Sequence, residues 1–176
     1  MGKQYRNLTL NDIDFIKEQK LFYLASCSTK EVNLSPKGYD SIRVINNQTL
    51  AFANLPGSGN RTHRDSVENG EFTLVFNAFE GNPKILRLFC KSEIIDKDNS
   101  KYQNYLSLFS IKESVIRDIF EFSIYAVESS CGMSVPIMEF KEERNTLMHW
   151  AIDTDKQGKL EEYKAKRFTP PKLKDI

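Results

Sequence analysis

Residues 72–79 read Phe72-Thr73-Leu74-Val75-Phe76-Asn77-Ala78-Phe79, and this alternation decides the architecture. Phe72, Leu74, Phe76 and Ala78 fall on one face and Thr73, Val75 and Asn77 on the other, the period of two that a half-buried strand requires. The period returns where Phe120, Phe122, Ile124 and Ala126 alternate with Glu121, Ser123 and Tyr125, predicting a strand over 119–128. Between the two, Gly81-Asn82-Pro83 turns the chain into a long strand over 84–95.

Toward the N-terminus, Leu21-Phe22-Tyr23-Leu24-Ala25-Ser26-Cys27 is a short apolar run bounded by polar residues, hence a strand. A turn at Ser28-Thr29-Lys30 leads to a second strand over 31–35, as in a hairpin. Strands over 41–45 and 49–55 flank Asn46-Asn47-Gln48, a typical turn composition. Thr9 and Asp12 form a helix start ahead of Ile13 and Ile16. A short helix over 61–68 closes at Asn69-Gly70, with Gly70 available for a left-handed residue. Residues 101–107 also read as helical. After Cys131-Gly132 the chain changes character, and 144–166 is charged and largely helical. Leu147, Trp150 and Ala151 share one face there, Gly158 interrupts, and Pro170-Pro171 ends regular structure.

The count is about six strands with short antiparallel connections. The chain is therefore expected to be mainly β with peripheral helices, a closed or nearly closed antiparallel barrel. Sequential helix–strand alternation is absent, which argues against a doubly wound sheet. A length of 176 residues suits one domain, with a helical C-terminal extension from about residue 144.

With 25 basic and 24 acidic residues, the chain has no basic excess to attract nucleic acid. The basic tail, Lys164, Lys166, Arg167, Lys172 and Lys174, reads as solvated. Cys27, Cys90 and Cys131 lie far apart, as do His63 and His149, so neither a zinc site nor a disulfide framework has its spacing. The cysteines are expected to be buried small hydrophobes in a reducing compartment. The polar start from Met1 to Asn11 has no signal-peptide core, and no run is long enough to span a membrane. The expected location is the cytoplasm, with no nucleic-acid or membrane partner.

Two stretches carry chemistry: Asn33-Leu34-Ser35-Pro36-Lys37-Gly38 and Gly57-Ser58-Gly59-Asn60-Arg61-Thr62. Each sets hydroxyls, amides and a cation beside glycine, and the second leads into a helix N-terminus, whose free N–H groups favour a phosphate. Brought together they would form an anion cradle, with Lys37 and Arg61 as point and fork charges. Taken singly, such turns are also ordinary punctuation in β-proteins. Arg87, between Leu86 and Leu88, leaves their face and is expected to meet a carboxylate. His63 reads as solvated and Trp150 as core.

The run from Val32-Asn33-Leu34-Ser35 through Ser41-Ile42-Arg43-Val44, then Gly57-Ser58-Gly59-Asn60, then Ala78-Phe79-Glu80-Gly81-Asn82-Pro83-Lys84, resembles a branch of the pyridoxamine 5′-phosphate oxidase-like family. Ser130-Cys131-Gly132, Val135-Pro136 and Glu143-Arg144-Asn145-Thr146-Leu147 are similar to that branch's C-terminal pattern. The resemblance covers about residues 20–150. It implies a six-stranded antiparallel split β-barrel that forms a homodimer with FMN at the interface. By the same resemblance Asn33, Ser35 and Lys37 would line the flavin and Asn54 would lie near its ring or ribityl chain. Ser58, Asn60, Arg61 and Thr62 would hold the phosphate, and Ser130 would reach the cofactor from a later strand. The branch favours an acidic residue at Arg61 and a tyrosine at Met133. The C-terminal Trp and Arg-x-His set of the authentic oxidases has no match, so pyridoxamine phosphate oxidation itself is not implied. The leading expectation is an FMN-dependent oxidoreductase acting on a small molecule, with no side chain assigned as acid or base. A non-catalytic flavin- or haem-binding module and a purely structural dimer with an empty cleft are the rivals.

Overall fold

The alternating runs pair into one antiparallel sheet. The structure is a computed structural model that describes residues 2–28 and 31–170. Thr29 and Lys30 of the expected turn, and Pro171, Lys172 and Lys174 of the tail, lie outside the described residues. The strands are β1 (Lys3–Tyr5), β2 (Phe22–Cys27), β3 (Asn33–Lys37), β4 (Ile42–Asn46), β5 (Thr49–Asn54), β6 (Glu71–Asn77), β7 (Ile85–Ile95) and β8 (Asp118–Ser130). Their order is β3-β2-β6-β7-β8-β5-β4, and β1 adds to the far half of β8. The sheet curls into a split barrel whose ends are the short strands β3 and β4.

Among the described residues eight strands form where about six were expected. β1 is short and mostly exposed, so it carries no alternation, and only its pairing with Val127–Ser129 makes it a strand. β3 lies two residues later than the sequence suggests because Pro36 stays within it, opposite Tyr23. An edge strand tolerates a proline, since its missing N–H can face away from the neighbour.

The inward residues of β6, Phe72, Leu74 and Phe76, meet Phe22, Leu24, Leu50, Phe52, Phe120 and Phe122 inside the barrel. Phe72 and Phe122 have ring centroids 5.5 Å apart, and Phe22 and Phe76 stack at 5.4 Å. Each fully buried ring stabilises the fold by about 1.5–3 kcal/mol relative to exposure. The other face of β5 carries Ala51 and Ala53, small enough for α3 (Tyr102–Leu106) and Phe109 to pack there.

β8 departs from simple alternation. Phe89 pairs with Ala126 but Cys90 pairs with Ile124, so Tyr125 is an extra residue, a β-bulge. The bulge shifts the register, so Val127 takes the inward position expected of Ala126.

Helix α1 (Leu10–Glu18) starts as the Thr9-x-x-Asp12 pattern requires. Thr9 Oγ1 accepts from the Asp12 N–H and Asp12 accepts from the Thr9 N–H, a capping box. Burial would raise the Asp12 carboxyl, but Lys84 at 2.8 Å and Thr9 outweigh it and hold the carboxyl below the usual range. Helix α2 (Arg61–Val67) ends in a left-handed residue, and that residue is Asn69, not Gly70. Gly70 is required for space: a Cβ there would lie 2.6 Å from the Cys27 carbonyl oxygen.

The C-terminal third forms α4 (Thr146–Lys156) and α5 (Leu160–Lys166), broken at Gly158 with its φ of +69°. Ala151 and Leu160 pack on Val115 of the 3₁₀ turn Glu113–Val115. Trp150 is not core: it is exposed, with 37% of its surface accessible, and packs edge-on against Tyr163, joining the two helices. Of the cysteines only Cys90 is fully buried, and burial pushes its thiol up; Cys131 is exposed because it lies beyond the end of β8.

Phe122→Ala should lower stability by about 3–5 kcal/mol in urea unfolding, as for large-to-small changes in a packed core. Tyr125→Ala, on the outside of the bulge, should change it by less than about 1 kcal/mol.

Candidate functional site

The hairpin β2–β3, the end of β5 and the loop before α2 converge on a cavity of about 370 Å³. Its lining contains Asn33, Ser35 and Lys37 from β3, Asn54 from β5, and Ser58, Asn60, Arg61 and Thr62 from the loop and first turn of α2. Eight of the nine residues singled out in the sequence therefore share one wall system. Pleating explains the choice along β3: Asn33, Ser35 and Lys37 point one way, while Leu34 points to solvent. Ser130 is elsewhere, at the opposite end of β8, where its hydroxyl accepts from Arg87 Nη1 at 3.0 Å. The same Arg87 nitrogen reaches Glu128 at 3.2 Å, the carboxylate partner expected of it.

A smaller cavity of about 190 Å³ adjoins the first, sharing Lys37, Asn54, Leu55 and Gly57. Phe52, Tyr39 and Leu147 give it an apolar wall. Tyr39 holds a left-handed φ of 58° and donates its hydroxyl to the Arg144 carbonyl, tying the β3–β4 turn to the segment before α4. The two cavities together make a groove that is polar at one end and apolar at the other.

Charge in the groove differs from the expected pairing of Lys37 with Arg61. Arg61 lies 3.6 Å from Glu31, which also pairs with Arg64. Arg64 in turn pairs with Asp65 at 2.6 Å, so the Arg61 charge is matched within an alternating chain. Lys37 is different. Burial first, then the nearby Arg117 charge, hold its amine below the usual lysine range, and its Nζ lies 5.8 Å from the Phe52 ring centre. Among the described residues no carboxylate stands within ion-pair distance of Lys37.

Arg117 is the functional residue that the sequence did not disclose, since no motif surrounds it. It stands behind the glycine loop and donates from Nη1 to the Gly59 carbonyl and from Nη2 to the Gly57 carbonyl, each at 2.9 Å. A trans peptide carries its N–H opposite its C=O. The Ser58 and Asn60 N–H groups therefore point away from Arg117. Asn60 caps α2 without a side-chain cap bond and leaves a buried Oδ1 unpartnered. Its Nδ2 donates to the Phe168 carbonyl at 2.8 Å, bringing the C-terminal end across this side of the loop.

The environment of Asp118 was also hidden. Its Oδ2 accepts from Asn54 Nδ2 at 3.2 Å and lies 3.2 Å from His63 Nδ1. His63 is thus mostly buried rather than solvated, because Asp118 and the Phe168 ring, 4.7 Å away, enclose it. The lining suits an anion: the Lys37 amine and the hydroxyls of Ser35, Ser58 and Thr62 stand beside the glycine loop, which Arg117 braces from behind.

Lys37→Met should raise the melting temperature of ligand-free protein near neutral pH. The folded amine is depressed, so the unfolded chain binds more protons between the folded and unfolded lysine pKa values. The stability difference, variant minus parent, should therefore shrink as pH rises across that window, as paired thermal unfolding from pH 7 to 10.5 would show; the raised Cys90 thiol and tyrosines act in the opposite sense but equally in both proteins.

No protein-family model matches the chain. It is 30% identical over 174 residues to the pyridoxamine 5′-phosphate oxidase family protein ustO of Aspergillus flavus, an alignment spanning 95% of this chain and 70% of that protein. Among solved structures it is similar in fold to HupZ of Group A Streptococcus, with a TM-score of 0.57 and 19% identity over 68% of this chain and 91% of that one. It is also similar in fold to the FAD binding protein from Mycobacterium smegmatis, with a TM-score of 0.52 and 9% identity over 70% of this chain and 96% of that one. With this barrel, and with this identity sustained over nearly its whole length, the chain belongs to the pyridoxamine 5′-phosphate oxidase family.

Proposed function

We propose that the groove binds FMN and that the protein is an FMN-dependent oxidoreductase acting on a small molecule. The observation that carries this reading is the cavity itself, whose lining joins a half-buried Lys37 without a carboxylate partner among the described residues to the hydroxyls of Ser35, Ser58 and Thr62. Such a site is at rest only with an anion in it, and a phosphate supplies the charge and the acceptors. The family is consistent with this, and one structural neighbour is named for binding FAD. FMN is favoured over the dinucleotide because the Asn60–Phe168 contact lies at the phosphate end of the groove, where a mononucleotide would terminate.

Bound flavin would supply hydride and electron transfer. The chain's own residues bind and orient it. Ser58, Thr62 and the Ser58 and Asn60 N–H groups hold the phosphate, while Lys37 supplies the charge. Asn33, Ser35 and Asn54 are placed for the polyol chain, with Phe52 and Leu147 toward the ring. No residue here is assigned to move a proton.

A homodimer is part of the proposal. β3 is an edge strand beside the cavity, and Leu34 on it and Val32 just before it are exposed, an apolar edge of the sort a second copy covers. Ser130 is remote from the cavity of its own chain, so it would contact the cofactor from the partner subunit.

Purified protein mixed with FMN and desalted should keep flavin absorbance at about one FMN per chain and scatter light as a dimer. Lys37→Ala should weaken FMN by roughly 2–5 kcal/mol, the loss expected for one desolvated charge contact. Folded protein that retains no flavin would defeat the proposal. Retained flavin that neither reduced nicotinamides nor oxygen turn over would favour the binding-module reading.

A further inference from the structure

Asp65 has no exposed surface and does not line the cavity, yet it sits at the head of a hydrogen-bond chain that ends there. Its Oδ1 accepts from Arg64 Nε at 2.8 Å and from Arg64 Nη2 at 2.6 Å, and the Ser28 hydroxyl, whose one hydrogen it shares with Glu68, lies 2.7 Å away. Its Oδ2 accepts from Ser26 Oγ at 2.6 Å. A carboxylate held by arginine only accepts, so the single Ser26 hydrogen is committed to Asp65. Toward Asn33, 3.0 Å away, Ser26 can then only accept.

The two ends of an asparagine amide have nearly the same shape, and its surroundings decide which is which. Ser26 decides this one: Asn33 Nδ2 faces it, and the second Nδ2 hydrogen goes to Thr62 Oγ1 at 3.2 Å. Thr62 therefore accepts from Asn33 and keeps its own hydrogen for another acceptor. Asn33 Oδ1, 3.5 Å from Ser35 Oγ, is left as an acceptor beside the cavity. Each polarity along the path follows from the one before it, and the first is set by the negative charge of Asp65.

We propose that Asp65 is a positioning residue that fixes the direction of hydrogen bonding on the cavity floor, so that Thr62 donates to a bound phosphate. This rests on the flavin-phosphate reading above and deepens it. Asp65→Asn is nearly isosteric and should reverse the path. The two Arg64 donors keep the amide oxygen on their side, so the amide nitrogen donates to Ser26. Ser26 then turns its hydrogen to Asn33, the Asn33 amide turns over, and Thr62 donates to Asn33 instead of to the ligand. The polyol hydroxyls of a flavin donate or accept alike and tolerate the reversal, whereas a phosphate oxygen does not.

The experiment compares dissociation constants for FMN and for riboflavin, which lacks the phosphate, by fluorescence titration. In Asp65→Asn the preference for FMN should fall by roughly 10- to 100-fold, the worth of one hydrogen bond to a charged group, with riboflavin binding little changed. Thr62→Val should show the same loss, and the double variant should lose no more than either single one. A merely structural role would weaken both ligands alike and add to the Thr62→Val effect, and that result would overturn the proposal. If Asp65→Asn does not fold, Ser26→Ala, which removes the relay and keeps the Asp65–Arg64 pair, should also reduce the FMN preference; an unchanged preference sinks the idea. Parent protein that binds FMN no better than riboflavin overturns the phosphate reading along with this one. A parent preference that survives in Asp65→Asn overturns this one alone.

Discussion

Strand β8 is the constraint on which the rest of the structure depends. Along one side it pairs with β7 over most of its length; along the other, its first half pairs with β5 and its last residues with β1. A strand shared in this way sets the register of both sides of the barrel at once, because slipping it by one residue would turn Phe120, Phe122 and Ile124 outward. The bulge at Tyr125 lets so long a strand bend while Val127 still points inward. At its start, the Asp118↔Asn54 pairing brings Arg117 behind the glycine loop. The barrel core and the anion cavity thus share one determinant.

The C-terminal helices extend that determinant. α4 and α5 pack Ala151 and Leu160 on Val115, and Lys164 donates to the carbonyls of Ser114 and Ile116. These contacts hold the residues just ahead of Arg117, whose guanidinium in turn orients the Gly57–Ser58–Gly59 backbone. A helical extension that lines only the apolar end of the groove, through Leu147, therefore governs the polar end through two intermediates. The charges around α2 divide by the same logic. Asp65, Arg64, Glu31 and Arg61 alternate and neutralise one another, while Lys37 and Arg117 repel, with Asp118 offsetting the charge of Arg117. The first group gives rigidity, and the second leaves a field that an anion can satisfy.

Much of the site was legible in the chain because its chemistry is local. The glycines of 57–60 and the polar residues on one face of 33–37 announce a backbone that approaches a ligand closely, whatever the rest of the molecule does. The Thr9–Asp12 capping box and the alternation of 72–79 are equally local, and both formed as read. Readings failed where a distant partner decided. Arg61, read as a fork charge, does line the cavity, but Glu31 stands 3.6 Å from it. His63 looked solvated until Asp118 and Phe168 enclosed it. Gly70 looked like the left-handed cap, but Asn69 takes that conformation and Gly70 is needed because the Cys27 carbonyl crowds it.

The amino-acid sequence by itself determined the strands other than β1, the capped first helix, the break at Gly158 and the polar groups available to a ligand. These follow from side-chain periodicity and from backbone preferences that act within a few residues. Only the tertiary structure decided that Arg117 braces the loop, that Ser130 stands apart from the other eight residues, and that Asp65 commands Asn33 and Thr62 through Ser26. The reason is the range of the interactions. A hydrogen bond has a direction that depends on what its partner is already bound to, and such partners, like Asp65 and Ser26, lie tens of residues apart until the chain folds.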